Sequence, residues 1–312
     1  MGGVLAILCS GQGSQHAGMF DMIANCVEAL PVFNEATKIL GKDPRVFVKE
    51  NDTDKAYSNR NGQILCCTMA LALSAVLEKF FTGQRVLYVG YSVGELAAWG
   101  LAGCLTPTQV LDLAMRRAEL MDAVSPEGAG LAGVAGLPRH VIEGICEKTE
   151  VSISISNSDE SVVFGGTGRA LEKAIELAIK AGAGTAHRLK VSVPSHTPLL
   201  KGAVAPLLEY ILSLNPKPPK EEARLVSGLD GEPIFRIDDG AKRLAKQVAA
   251  TVHWDACMEA CLEAGSQTVL ELGPGTALAR MARTGILKDA HVRAVEDFHS
   301  LSGLLSWLEQ NI

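Results

Sequence analysis

Val86-Leu87-Tyr88-Val89-Gly90-Tyr91-Ser92-Val93-Gly94-Glu95-Leu96-Ala97-Ala98-Trp99-Gly100-Leu101 passes from a short apolar, strand-like run, through a glycine-bordered turn, into a helix-like run. A strand that gives way to a helix across Gly-X-Ser-X-Gly is the setting of a nucleophile elbow. There a tight turn holds the serine exposed, and the flanking glycines keep side chains out of the bend. Ser92 is therefore the first candidate for an attacking group. The helix that follows points its N-terminal N–H groups and their partial positive charge at the place where an oxyanion would develop. In a chain with 31 glycines so short a pattern also arises by chance, and an ordinary βα turn with a capping serine is the competing reading.

Outward from this stretch, strand-like and helix-like runs alternate. Val4 to Cys9 reads as a first buried strand, Phe20 to Ala29 and Gln63 to Lys79 as helices, and Thr108 to Val124 as the next helix. That alternation predicts an α/β fold with a parallel sheet. After Pro126 the rhythm changes: strand at Leu131 to Leu137, helix at Arg139 to Lys148, strands at Val151 to Ser156 and Ser161 to Gly165, helix at Arg169 to Ala181, strand at Thr185 to Val193. The order βαββαβ is that of a ferredoxin-like unit, and the short link at Asn157 to Glu160 is too direct for a parallel crossover. The expected organisation is a discontinuous core, residues 1–125 and 194–312, interrupted by a small subdomain at 126–193. The core resumes with strands at Leu225 to Ser227 and Thr268 to Leu272, after a rigid surface connection at Asn215-Pro-Lys-Pro-Pro-Lys220.

Composition narrows the classes. With 312 residues, 47% of them hydrophobic, the chain can bury one large core or two modest ones. A net charge of −6 with scattered basic residues argues against a nucleic-acid binder. No apolar stretch is long enough for a bilayer, and Val4 to Cys9 is too short for a signal-peptide core, so no membrane association is expected. The eight cysteines include no CxxC pair, and no histidine completes a metal set with Cys257 and Cys261. Free buried thiols, no metal and a reducing, cytoplasmic setting are the expectation.

Three further features carry chemistry. Gly11-Gln12-Gly13-Ser14-Gln15 follows the first strand, on the side of an α/β sheet where ligands bind. It lacks the lysine and spacing of a P-loop, which leaves the Gln12 N–H as an oxyanion donor alongside the Val93 N–H, or a plain tight turn. His196, in Val193-Pro194-Ser195-His196-Thr197-Pro198, is held on a proline-stiffened segment and is one of seven histidines that could take the Ser92 proton. Finally, Val110, Leu113, Ala114, Met121 and Val124 form an apolar stripe at helical spacing, and Arg117 falls within it. A guanidinium facing the core calls for an anionic partner, either internal, such as Glu95, or a substrate carboxylate held bidentately.

Gly11-Gln-Gly-Ser-Gln15, Gly90-Tyr-Ser-Val-Gly-Glu95, Arg117 with Met121, Val193-Pro-Ser-His196 and Leu272-Gly-Pro-Gly275 resemble the malonyl-CoA:acyl-carrier-protein transacylases over nearly the whole chain. The resemblance implies an α/β-hydrolase-like core with a ferredoxin-like insertion. It also implies Ser92 as nucleophile, His196 as base, Gln12 and Val93 as backbone oxyanion donors, and Arg117 as clamp on the malonyl carboxylate. Gln247 matches the family position whose main-chain carbonyl orients the histidine, Gln63 a glutamine near the acyl pocket, and Asn157 a residue on the small subdomain. Family members of fatty-acid synthesis usually carry histidine before the nucleophile and leucine after it. The form GYSVGELAAWG, with Tyr91 and Val93, looks more like the epsilon subunit of malonate decarboxylase, which loads that complex's carrier subunit.

The implied reaction is a ping-pong transfer from malonyl-CoA, through a malonyl-serine ester, to the phosphopantetheine-type thiol of a carrier protein, with no metal or diffusible cofactor. A serine esterase or thioesterase on the same core, and a non-catalytic scaffold, are the rivals. Arg188, Lys190, Lys217 and Lys220 are the candidates for a basic patch facing an acidic carrier.

Overall fold

The computed structural model describes residues 3–50 and 53–312 and divides its strands between two sheets. The first contains β1 (Val4–Cys9), β2 (Val86–Gly90), β7 (Ala223–Leu225), β9 (Ser266–Leu272) and β10 (His291–Ala294), in the order β10-β9-β1-β2-β7, and every pairing is parallel. Helices cover it, which is why β1 and β2 read as unbroken apolar runs rather than alternating ones. The helix Asn59–Val76 is buried along most of its length against this layer, starting at the Ser58 side chain, which accepts from the Asn61 N–H.

The second sheet contains β3 (Gly130–Ala135), β4 (Ser152–Ser158), β5 (Ser161–Gly166), β6 (Thr185–Arg188) and β8 (Val252–His253), in the order β6-β3-β5-β4-β8. The pairings among β3, β4, β5 and β6 are antiparallel, as the short β4–β5 link requires. The helices Arg139–Thr149 and Gly168–Lys180 pack on it through Ile142, Ile145, Leu171, Ala174 and Ala178, which gives this sheet a core of its own. Its edge strand β8 comes from outside residues 126–193 and pairs parallel to β4, tying the two sheets together.

Several expected elements are corrected. The stretch Phe20 to Ala29 is not one helix but two single 3-10 turns, Asp21–Ile23 and Val27–Ala29, separated by an extended Cys26. The α-helix begins only at Leu30, where Pro31 fits the first turn and could not sit deeper. The strand expected to reach Val193 ends at Arg188. Leu189 makes the last backbone bond to β3, and the chain then runs irregularly through Pro194, which has no N–H to donate. The helix containing Arg117 spans Pro107–Val124, opened by a capping box in which Thr106 and Gln109 satisfy each other's backbone N–H groups.

Candidate active site

The turn between β2 and the helix Gly94–Leu101 puts Ser92 at φ 56°, a left-handed conformation that a non-glycine residue adopts only when its surroundings impose it. The surroundings here are backbone. A Cβ on Gly94 would lie 2.1 Å from the Cys9 carbonyl oxygen, and one on Gly90 would lie 2.1 Å from the Glu95 N and Cα atoms. Gly11, at the end of β1, comes so close to the elbow that a Cβ there would sit 3.0 Å from the Tyr91 oxygen and 3.8 Å from the Ser92 Cβ. The Gln12 loop therefore lies directly beside Ser92, at the carboxyl ends of adjacent parallel strands.

His196 also has a positive φ, 61°, and is 1% exposed. Its Nε2 lies 2.7 Å from the Ser92 Oγ and its Nδ1 lies 2.6 Å from the Gln247 main-chain oxygen. A carbonyl can only accept, so Nδ1 carries the proton and Nε2 offers its lone pair to the serine hydroxyl. Burial, reinforced by the nearby Arg117 charge and opposed by the Gln247 bond, lowers the imidazole pKa from its usual 6.5 to about 3. The ring is thus neutral and able to accept a proton across the physiological range.

Arg117 is 1% exposed and points into the same region. Its Nη1 donates to the Gln63 Oε1 at 2.7 Å and its Nη2 to the Gln247 Oε1 at 3.2 Å, while its Nε has no partner among the described residues. Both acceptors are neutral amides. Glu95, the internal partner considered from sequence, instead accepts on Oε2 from the Gln247 Nε2 (2.6 Å) and the Gly228 N–H (3.0 Å). Burial raises its pKa to about 7, so the carboxyl is only partly ionised near neutrality. Desolvation lowers the Arg117 pKa to about 10, and the group still carries its charge.

The structure thus gathers Ser92, His196, Gln247, Arg117 and Gln63 into one hydrogen-bonded cluster. Met121 packs beside it, with its sulfur 3.7 Å from the Gln63 Nε2, and Asn59 accepts from the same nitrogen at 2.8 Å. Asn157 stands apart from the Arg117 side: its Oδ1 accepts from the Tyr91 hydroxyl at 3.1 Å, across the two sheets, and the Tyr91 ring meets Trp254 edge-on. The four basic residues do not form one patch. Arg188 and Lys190 line a groove of about 560 Å³ with Tyr57 and Ser58, whereas Lys217 and Lys220 line a different cavity that shares no residue with it.

Sequence reading missed the Gln247 side chain, which also donates to the Ser92 carbonyl at 3.2 Å, and the pair Ser10–Glu271 behind the Gln12 loop. A glutamine on a short helical turn carries no local signal of such a role. Glu271 is at least visible as a charged residue inside the apolar run of β9. All eight cysteines are free, with Cys26 and Cys146 half-buried rather than buried. No cluster of three or more possible metal ligands occurs among the described residues, and no described helix is long and apolar enough to cross a membrane.

An α/β body of two sheets with a serine–histidine pair beside a helix N-terminus is the arrangement of an acyl-transferring enzyme, and the comparisons agree. The model of the acyl transferase domain family matches residues 7–297, and the chain belongs to that family. It is similar to the malonyl CoA-acyl carrier protein transacylase of Haemophilus influenzae, 28% identical over 97% of this chain and 98% of the relative. Among solved structures it resembles the acyl-carrier-protein S-malonyltransferase of Burkholderia pseudomallei, with TM-score 0.89, 28% identity and coverage of 99% of this chain and 100% of the other. It also resembles a malonyl-transacylase solved in complex with its type II PKS acyl-carrier protein, with TM-score 0.90, 28% identity and coverage of 98% and 99%.

Proposed function

We propose that this acyltransferase is a malonyl-CoA:acyl-carrier-protein S-malonyltransferase working through a malonyl-serine ester at Ser92. The observation that carries the substrate choice is the buried Arg117 cation, whose described partners are amide oxygens, beside the Ser92–His196 pair. A substrate with a free carboxylate supplies the missing anion, and an acetyl group does not.

In the first half-reaction the Ser92 Oγ attacks the thioester carbonyl while its proton passes to the His196 Nε2. The tetrahedral oxyanion is received by the Gln12 and Val93 N–H groups. Its collapse breaks the C–S bond, and CoA leaves with the proton from His196. In the second half the carrier thiol gives its proton to His196, its sulfur attacks the ester, and Ser92 leaves and recovers the proton. Gln63 and Met121 line the acyl side, Gln247 holds His196, and Asn157 borders the site through Tyr91. Residues 1–125 with 194–312 act as an α/β-hydrolase-like catalytic body and 126–193 as a ferredoxin-like subdomain over it, a reading supported by the strand order of the second sheet. No metal or diffusible cofactor enters these steps, which run in the cytoplasm.

The relatives' names favour an acyl carrier protein as acceptor. The narrower reading, the small carrier subunit of malonate decarboxylase, rests on Tyr91 and Val93. Tyr91 bonds to Asn157 and packs on Trp254, so the substitution lies at the junction of elbow and small subdomain. The test is to load the protein with malonyl-CoA and follow Ser92 by intact mass. A stable malonyl adduct supports transfer, whereas rapid release of malonate without acceptor points to a hydrolase. Offering a fatty-acid carrier and a malonate-decarboxylase carrier to the loaded protein then decides the acceptor by which one discharges it faster.

A further inference from the structure

Gln247 bonds to His196, Arg117, Glu95 and the Ser92 main chain, four members of the cluster. Its main-chain oxygen holds the His196 Nδ1, its Oε1 accepts from the Arg117 Nη2, and its Nε2 donates to the Ser92 carbonyl and to the Glu95 Oε2. A primary amide has two chemically opposite ends, and which end faces Arg117 matters. A guanidinium only donates, so a flipped amide would set N–H against N–H at 3.2 Å and drive the cation from its place. The correct orientation is enforced from the other end, where two acceptors wait: the Ser92 carbonyl at 3.2 Å and the Glu95 carboxylate at the much shorter 2.6 Å.

We propose that Glu95 is a positioning residue that fixes the Gln247 amide, and through it the guanidinium of Arg117, so that the cation faces a substrate carboxylate. Glu95 itself touches neither the serine hydroxyl nor the imidazole; it acts through Gln247. It is well placed to do so. It lies in the first turn of the helix Gly94–Leu101, three residues after Ser92, where the helix dipole favours an acidic group, and it is fully buried. Both of its bonds, from Gln247 and from the Gly228 N–H, fall on one oxygen, Oε2, while Oε1 has no partner among the described residues. An acceptor at the Oε2 position is therefore what the site requires, and glutamine at 95 can supply it with its amide nitrogen occupying the Oε1 position.

This inference rests on the reading of Arg117 as the malonyl clamp, and the experiment separates the two. Malonyl and acetyl loading of Ser92 from their CoA thioesters are measured for Arg117→Ala, Glu95→Met, Glu95→Gln, Gln247→Leu and the double variant Glu95→Met/Gln247→Leu, with thermal melts to confirm folding. Methionine keeps the volume of the glutamate and removes the acceptor. The expected result is a tenfold or greater rise in the malonyl-CoA KM and a matching fall in the malonyl-to-acetyl ratio for Glu95→Met, with Glu95→Gln within about threefold of the parent. The double variant should be no worse than Gln247→Leu alone, because a residue acting through another adds nothing once the second is gone. Equal losses for both acyl groups in Glu95→Met, or additive losses in the double variant, would overturn the positioning role while leaving the clamp intact. An unchanged ratio in Arg117→Ala would sink the clamp reading itself. Should Glu95→Met fail to fold, Glu95→Gln decides: a collapse of its ratio overturns the proposal, and retention at parental levels supports it.

Discussion

Ser92 and His196 face each other across 2.7 Å, and both hold the backbone in the left-handed region, at φ 56° and 61°. Two strained residues at one hydrogen bond mean that the surrounding packing, not local preference, sets the geometry of the pair. For His196 the packing includes a backbone bond from its own N–H to the Val248 oxygen at 2.8 Å, one residue beyond the carbonyl that orients its ring. Backbone and ring are thus pinned to the same short segment.

The pH profile follows from that pinning. The imidazole must be neutral to take the serine proton, and burial with the Arg117 charge lowers its pKa to about 3. We expect kcat/KM for malonyl-CoA to hold its plateau well below pH 6.5 and to decline only as the pH approaches the lowered value. A malonyl carboxylate seated on Arg117 offsets the repelling charge, so the acid limb of kcat should lie at higher pH than that of kcat/KM. Pre-steady-state acylation across pH 4–8 checks both, and an acid limb centred near 6.5 for the free enzyme contradicts the first.

Arg117→Ala removes the cation and leaves the Gln63 and Gln247 oxygens without a donor. The orphaned acceptors should cost about 1–3 kcal/mol of stability. Malonyl loading loses a charge-paired contact of about 3–5 kcal/mol, a hundredfold or more in rate, while acetyl loading changes far less. Parallel loading assays with the two thioesters read the split.

Gly94→Ala tests the elbow without touching a reacting group. The added methyl, whose place the Gly94 backbone fixes, would meet the Cys9 main-chain oxygen at 2.1 Å, so no side-chain rotation relieves it. Either the turn opens and Ser92 labelling falls to background, or the protein unfolds, with a destabilisation of more than about 3 kcal/mol by urea titration. A variant with parental labelling and stability would show that the elbow is looser than its contacts indicate.

Glu271 offers a test by linkage. Burial raises its pKa from 4.5 to about 7, against bonds from the Ala279 N–H and the Ser10 hydroxyl. A raised carboxyl pKa means the folded state binds more protons than the unfolded one between the two values. This contribution to stability is therefore full below about pH 4.5 and is lost as the pH rises through about 7. Glu95 behaves in the same sense. His196 runs the other way: with its pKa lowered from 6.5 to about 3, its contribution is present above 6.5 and is lost as the pH falls toward 3. Ser10 and Ala279 donate to different Glu271 oxygens and glutamine offers only one, so Glu271→Gln sets one of the two donors against an amide NH2 and should be less stable than the parent at pH 5, with the gap narrowing by pH 7.5. Urea midpoints at the two values measure it; a gap that widens with pH contradicts the assignment.

The local chemistry of the chain already announced much of this. The run Val86 to Leu101 specified strand, elbow and helix, because an apolar run and a glycine-bordered turn are properties of neighbouring residues. Arg117 betrayed its burial by lying on an apolar stripe at helical spacing. The failures were also local in origin. Apolar residues at 20–29 suggested a helix, but Pro31 lets the helix begin only at Leu30. The β-like run at 185–193 lost its partner after Leu189.

What the sequence alone determined is therefore the α/β alternation, the candidate nucleophile and the presence of a buried cation. The resemblance named His196 as the base and Gln247 as the carbonyl that orients it, but the distance between Ser92 and His196, the Gln247 side chain's joining of Arg117 and Glu95, and the crossing of β8 to the second sheet were supplied only by tertiary structure. The physical reason is distance along the chain. His196 stands 104 residues from Ser92, and Gln247 stands 130 from Arg117. Periodicity tells which face of an element is buried, whereas the partner a buried polar group finds depends on how whole layers dock.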